Sequence, residues 1–230
     1  MSLLGRAPWA NHVIDSDLAY EIDAREIPPQ WSTGRVPLRH ATPYERPVTI
    51  QAGDPIYTLN PQLVQWAFEL TKNVPLVDSD SIRESRKRFQ GFDNALKPPF
   101  VTRGDALSGS TFWHGNLMDR WANAWVRYFI GDEANFMITA MEDTGTLQAL
   151  RMLSQAGRVD LRRVLVLRTV SNYDQPAPGT SAAESLKQMT GGRYSAYLEA
   201  LEAAERVGDK VVRDIVEHWG QRRSTIPSAP

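Results

Sequence analysis

Residues 100–141 read FVTRGDALSGSTFWHGNLMDRWANAWVRYFIGDEANFMITAM, and the class of fold turns on them. Phe100 to Leu107 predicts a strand that stops at Ser108-Gly109-Ser110. Gly115 to Phe129 predicts a helix with Leu117, Trp121, Ala124, Trp125 and Tyr128 on one face. Asn135 to Met141 is apolar without alternation, as a strand buried on both faces would be. A strand, a helix and a second buried strand make a βαβ unit.

The pattern continues downstream. Thr146 to Ala156 predicts a helix, with Gly157 just past its end. Val164 to Val170 reads as another buried strand, and Ser181-Ala-Ala-Glu184 as a capping box opening a helix. Tyr194 to Trp219 predicts a helix broken near Gly208, and 224–230 a flexible tail. The expected fold is α/β: a single three-layer α/β/α domain with a mixed, largely parallel sheet.

Upstream the signals are weaker. Val13 to Ile22 alternates like a strand. Pro28, Pro29, Pro37, Pro43, Pro47, Pro55 and Pro61 crowd the next stretch, which predicts extended loop and short edge strands. Asn60-Pro61 predicts an N-cap and first helical position, with a helix to about Lys72. Ser81 to Phe89 predicts a helix whose Arg83, Arg86, Lys87 and Arg88 form a solvated face. Residues 1–12 contain only Gly5 and show no strand, so the expectation is that an N-terminal portion is missing.

Composition narrows the function classes. The 230 residues carry a net charge of −1, with 42% hydrophobic and 23% charged residues. That is a globular composition with no electrostatic footprint for nucleic acid or an anionic membrane. No Cys is present, so thiolate metal sites and Cys nucleophiles are excluded. Val164–Leu167 is the best apolar run, far short of the roughly 20 residues a spanning helix needs. Met1 to Pro8 lacks the apolar stretch of an intact signal peptide. The compartment is therefore periplasmic or extracellular if a leader has been removed, and cytoplasmic otherwise. His12, His40, His114 and His218 show no ligand-pair spacing, and no phosphate-cradling glycine loop is visible, so no metal and no nucleotide cofactor are expected.

Ligands of such sheets bind beyond the carboxyl ends of the strands. Three polar segments follow strands here: Gly104–Gly115, Met141–Thr146 and Ser171–Pro176. The Glu142 carboxylate can accept from two adjacent hydroxyls, or favour the following helix N-terminus through its dipole. Asn172 and Asp174 can serve a ring nitrogen, or close an Asx turn. Phe112 and Trp113 can stack on a heterocycle, or simply pack in the core.

The blocks DLAYEIDAREIP (17–28), GDALSGSTFWHG (104–115), TAMEDTGTLQAL (139–150) and VLVLRTVSNYDQPAPG (164–179), in this order, resemble the purine nucleoside permease family. The resemblance implies a nucleoside phosphorylase-like fold without a membrane span, a purine nucleoside or base as ligand, and nucleoside uptake or salvage as the setting. By it Met141-Glu142 is the pair whose Glu holds ribose hydroxyls, Ser171-Asn172 the pair whose amide reaches purine N7, and Ser108-Gly109 followed by Phe112 the stretch that supplies the stacking aromatic, with Ser110 and Thr111 intervening. Asp174 is the proton donor to the leaving base instead of Asn172 if its loop turns it inward, and phosphate is then a co-substrate; a sheet edge left exposed by the missing strand would favour a homo-oligomer. The alternative within the same resemblance is a non-catalytic nucleoside-binding component. The phosphate segment of that superfamily has no recognisable counterpart here, so little phosphorolysis is expected of this chain; were a phosphate site present, Arg103 and Arg168 are the first residues to examine for it.

Overall fold

The computed structural model describes residues 4–43, 45, 55–190 and 196–229. Its elements, in chain order, are β1 (Ala7–Asp15), β2 (Ala19–Glu21), β3 (Arg35–Pro37), β4 (Ile56–Thr58), α1 (Pro61–Thr71), α2 (Asp80–Lys87), α3 (Asp93–Leu96), β5 (Val101–Ser108), α4 (Asn116–Ile130), β6 (Phe136–Ala140), α5 (Asp143–Gln155), α6 (Ala182–Thr190), α7 (Tyr197–Glu217) and α8 (Trp219–Arg222). The main sheet has the order β4-β1-β5-β6. β1, β5 and β6 are parallel neighbours, and β4 runs antiparallel beside β1. Strands β2 and β3 form a separate antiparallel pair.

The chain is α/β with a mixed, mostly parallel sheet and helices on both faces. Val13 of β1 and Ala106 of β5 pack with α1, α5 and α7 through Val64, Leu147 and Val207. Their neighbours Ile14 and Leu107 point the other way, onto Trp121, Trp125 and Phe129 of α4. This alternation is the two-residue period of a strand, and it places one apolar layer on each side. Buried indoles tie the layers to the sheet. Trp9 Nε1 donates to Thr71 Oγ1 at 2.9 Å, and Trp125 Nε1 to the Asp15 carbonyl at 3.0 Å.

Several expectations are corrected. An opening strand exists: β1 starts at Ala7 and lies inside the sheet, flanked by β4 and β5. Buried on both faces, it has no alternation to betray it, and Pro8 argues against a strand. The strand expected over Val13–Ile22 is interrupted after Asp15, whose Oδ1 accepts from the backbone N–H groups of Asp17 and Leu18 in an Asx turn. Val164–Val170 is not a further strand of the parallel sheet. It lies antiparallel to the first half of β1 with a single bridge, Trp9 to Leu167. Arg168 N donates to the Pro8 carbonyl, but Pro8 has no N–H to return, so that ladder stays incomplete.

The helices also differ in detail. α5 begins at Asp143, three residues before the expected Thr146. Leu117 is exposed on α4, and Ala122, Val126 and Phe129 join the buried face instead. Arg86 is buried and paired with Asp78 rather than solvated. α7 runs unbroken through Gly208; Tyr194, where that helix was expected to start, and Pro47 lie outside the described residues. At the far end, Ile226 packs against the core cluster.

A Cβ at Gly208 would meet only Leu167 Cδ2, at an ordinary 3.9 Å. Glycine inside a helix costs roughly 0.5–1 kcal/mol relative to alanine. Gly208→Ala is therefore expected to raise stability by about that amount in a urea titration. A loss of stability would show that this helix position is more crowded than its geometry indicates.

Candidate functional site

A cleft of about 550 Å³ opens beyond the carboxyl ends of β5 and β6. That size suits a small organic ligand. Gly109 and Phe112 line it from the loop after β5, Met141 and Glu142 from the end of β6, and Ser171, Asn172 and Asp174 from the segment that follows the β1-paired stretch. The three polar segments thus converge on one space.

Gly109 is there because nothing larger fits. A Cβ on it would lie 2.1 Å from Ser16 Oγ and 2.6 Å from Asp17 Oδ1. The Asp17 carboxylate in turn accepts the Ser110 N–H at 2.7 Å, so the β1 and β5 loops are locked together at the cleft's edge. Ser108 is wholly buried, and its Oγ accepts the Thr144 N–H at 3.3 Å. Its hydroxyl satisfies an early donor of α5 and braces the cleft from beneath. Phe112 is 74% exposed, so its ring has room to move over a ligand. Trp113 is turned partly into the core, edge-on to Trp121.

Glu142 and Asp143 sit at the start of α5, and Arg168 joins them. Arg168 Nε donates to both Asp143 carboxylate oxygens at 3.0 Å, and Nη2 donates to Glu142 Oε2 at 3.1 Å. The Asp143 side chain is 8% exposed and the Glu142 side chain 69%. Asp143 is thus the buried anchor, and Glu142 is presented to solvent. The Glu142 backbone N–H and the Arg168 guanidinium hold the Glu142 carboxyl below the ordinary carboxylate range. Burial works against the charge on Arg168, but its hydrogen bonds and charge pairing with Asp143 and Glu142 more than offset it.

Four residues beyond Arg168, Asn172 Oδ1 accepts from Ser171 Oγ at 3.1 Å, and its Nδ2 donates to the Tyr173 carbonyl at 3.2 Å. A primary amide offers two acceptor and two donor positions, so one of each stays open to a ligand. Asp174 is 3% exposed, and its backbone carbonyl accepts the Gly115 N–H at 3.0 Å.

Sequence reasoning marked Arg168 only as the end of an apolar run and a residue to examine for phosphate, and missed its clamp on Asp143 and Glu142. It also passed over Tyr197 and Leu201 of α7, which close the cleft from the C-terminal side. The charge pattern Glu-Asp in one segment and a lone Arg closing a buried stretch in another was the only signal for the first. The aromatic and aliphatic pair at i, i+4 on α7 carried no signal that separates a cleft wall from a core face.

The sequence matches the family described as purine nucleoside permease over residues 1–227. The chain belongs to the purine nucleoside permease family. It is 28% identical over 224 residues to a probable purine nucleoside permease of Schizosaccharomyces pombe, covering 94% of this chain and 63% of that protein. It is 26% identical over 219 residues to the purine nucleoside permease of Candida albicans, covering 94% and 53%. The chain therefore spans 53–63% of the length of these two family members. Two solved nucleosidases align at 12% identity. The 5′-methylthioadenosine/S-adenosylhomocysteine nucleosidase of Colwellia psychrerythraea 34H, in complex with adenine, aligns with a TM-score of 0.40, covering 91% of this chain and 61% of that one. The corresponding enzyme of Neisseria meningitidis, in complex with methylthio-immucillin-A, aligns with a TM-score of 0.43, covering 93% and 63%. No helix among the described residues of this family member is long and apolar enough to cross a membrane.

Proposed function

We infer that the cleft binds purine nucleosides. The observation that carries this reading is the convergence of Met141–Glu142, Ser171–Asn172 and Phe112 on one space of nucleoside size. In this arrangement the ribose hydroxyls donate to the Glu142 carboxylate, which its neighbours keep ionised. The Asn172 amide meets the purine edge, and Phe112 covers the face. A charge-assisted bond to Glu142 fixes the sugar, and the stacked ring fixes the plane of the base.

The buried Asp174 carboxyl, on the same wall as Asn172, supports a second reading in which the N-glycosidic bond is cleaved. Cleavage makes the ribose oxocarbenium-like and leaves charge on the departing purine, so donors preorganised at its edge lower the barrier. An amide can hydrogen-bond the ring nitrogen but cannot deliver a proton. A carboxylic acid can. Phosphate would then be the co-substrate that captures the sugar.

Calorimetric titration with inosine, adenosine and guanosine tests the binding. Incubation with each, with and without phosphate, followed by chromatography of the free base, tests the chemistry. Binding of at least one nucleoside is the expected result. Base release only with phosphate makes the chain a phosphorylase, release without it a hydrolase, and binding with no release a binding component of nucleoside uptake. Absence of binding by all three overturns the reading.

A further inference from the structure

A second cavity, of about 830 Å³, lies against the cleft. Asn172 and Met189 line both. The wall between them is made by two loops that alternate sides. Trp113 faces the cleft and His114 the second cavity; Asp174 faces the cleft, and Tyr173 and Gln175 the second cavity. One backbone hydrogen bond, from Gly115 N to the Asp174 carbonyl, staples the loops together.

The second cavity has a different chemistry from the cleft. Arg88, at the end of α2, and Lys187 and Gln188 of α6 line it, as do the hydroxyls of Ser81, Ser85 and Ser185. Among its described lining residues there is no carboxylate. Arg88 directs both terminal nitrogens at Gln188 Oε1 at 3.3 Å, which holds the guanidinium at the cavity and leaves donors to spare. His114 Nε2 lies 2.9 Å from Ser185 Oγ, and burial pulls the ring's pKa down. The positive charge of the chamber therefore rests with Arg88 and Lys187.

We propose that this chamber receives an anionic substituent carried on the edge of the bound purine, so that the preferred ligand is a purine nucleoside bearing carboxylates tethered at its 6-position. The inference rests on the purine reading of the cleft. Asn172 is the residue common to both spaces, and an amide set at purine N7 stands on the same edge of the ring as the 6-substituent. A group extended from that edge passes Asn172 into the chamber. There it meets two cations and several hydroxyl and amide donors, with no acid among the described residues that line it. Charge-assisted hydrogen bonds of that kind are the stronger class.

The test titrates the full chain with adenosine, with N6-(1,2-dicarboxyethyl)adenosine, and with N6-benzyladenosine as an uncharged group that also fills space. The dicarboxylate is expected to bind about 10- to 100-fold more tightly than adenosine at low salt. The advantage should shrink as salt is raised. In an Arg88→Gln/Lys187→Gln double variant, the ratio of the two dissociation constants should fall toward one. If adenosine binds and the dicarboxylate binds no better, or is excluded, the chamber proposal is overturned and the cleft reading stands. An equal gain with the benzyl compound also overturns it, because the chamber is then only space. If no purine nucleoside binds, both fall together.

Discussion

Arg168→Met is expected to lower the stability of the chain by about 3 kcal/mol, the low end of the cost of breaking a buried ion pair from one side. The low end applies because the Arg168 side chain is a third exposed, at 33%. Its partner is not. Asp143 is 8% exposed and takes bonds from both Nε and Nη2 of Arg168. Methionine keeps much of the stem's packing but leaves the carboxylate in a poorly solvated place with no cation beside it. The first turn of α5 offers Asp143 some help through the helix dipole, worth only about 0.3–1 kcal/mol. Removing both charges should therefore be milder than removing one. An Arg168→Met/Asp143→Leu pair should recover most of the loss, since a buried pair is often replaceable by apolar groups of similar volume. Urea titration of the three variants reads this directly. A single-variant loss under 1 kcal/mol, or a double variant worse than the single, would mean that Arg168 is not the support of Asp143.

What could be read from the sequence divides along physical lines. β5, α4 and β6 were legible because each is long and has one clear period or one clear apolar run. Their boundaries fall within two residues of expectation. The capping box was legible because its chemistry is local: Glu184 N–H bonds back to Ser181 Oγ at 3.2 Å, and Ser181 N–H to Glu184 Oε2 at 3.0 Å. β1 was legible only from Val13 on, because its buried first half carries no alternation and Pro8 counts against it locally. Only the sheet shows that β5 holds β1 along its length, from Ala7 beside Val101 to Asp15 beside Ser108. α7 shows the same override: packing against the core by Val207 and Val211 carries the helix across a glycine that propensity alone marks as a break.

At the site, the residues legible in advance were those at strand ends. The rule that ligands sit beyond the carboxyl ends of strands selects them without knowledge of pairing. Glu142, Asn172 and Phe112 were found in that way and do line one cleft. Ser108 obeyed the same rule yet points its hydroxyl at Thr144, because a strand-end serine next to a helix start has an unsatisfied N–H to serve. The pairing of Arg168 with Asp143 escaped notice for the opposite reason. It reaches across 25 residues, which no local pattern encodes.

Glu142→Gln is expected to weaken nucleoside binding about 10-fold or more while leaving free-base binding nearly unchanged. A hydrogen bond to a charged group contributes about 1.5–3 kcal/mol, and the amide keeps shape and one acceptor but loses the charge. The base does not reach Glu142 in the proposed arrangement, so only the ligand with a sugar should respond. The same contact predicts a dependence on pH. Glu142 has its folded pKa depressed by its own backbone N–H and by Arg168, so the carboxylate persists into acid that would protonate an ordinary Glu. Nucleoside affinity should hold as pH falls through the ordinary carboxylate range of about 4.3 and drop only below it. An Arg168→Lys variant keeps a cation near Asp143 but loses the fork that reaches Glu142 at the same time, so its affinity should begin to fall at a higher pH. Calorimetry with inosine and hypoxanthine from neutral pH to below about 4.3 separates the possibilities. Equal losses for nucleoside and base in Glu142→Gln would remove Glu142 from the sugar. An affinity that falls at the same pH with and without the Arg168 fork would show that the fork does not set the acid limb, leaving it to the Glu142 backbone N–H or to another group.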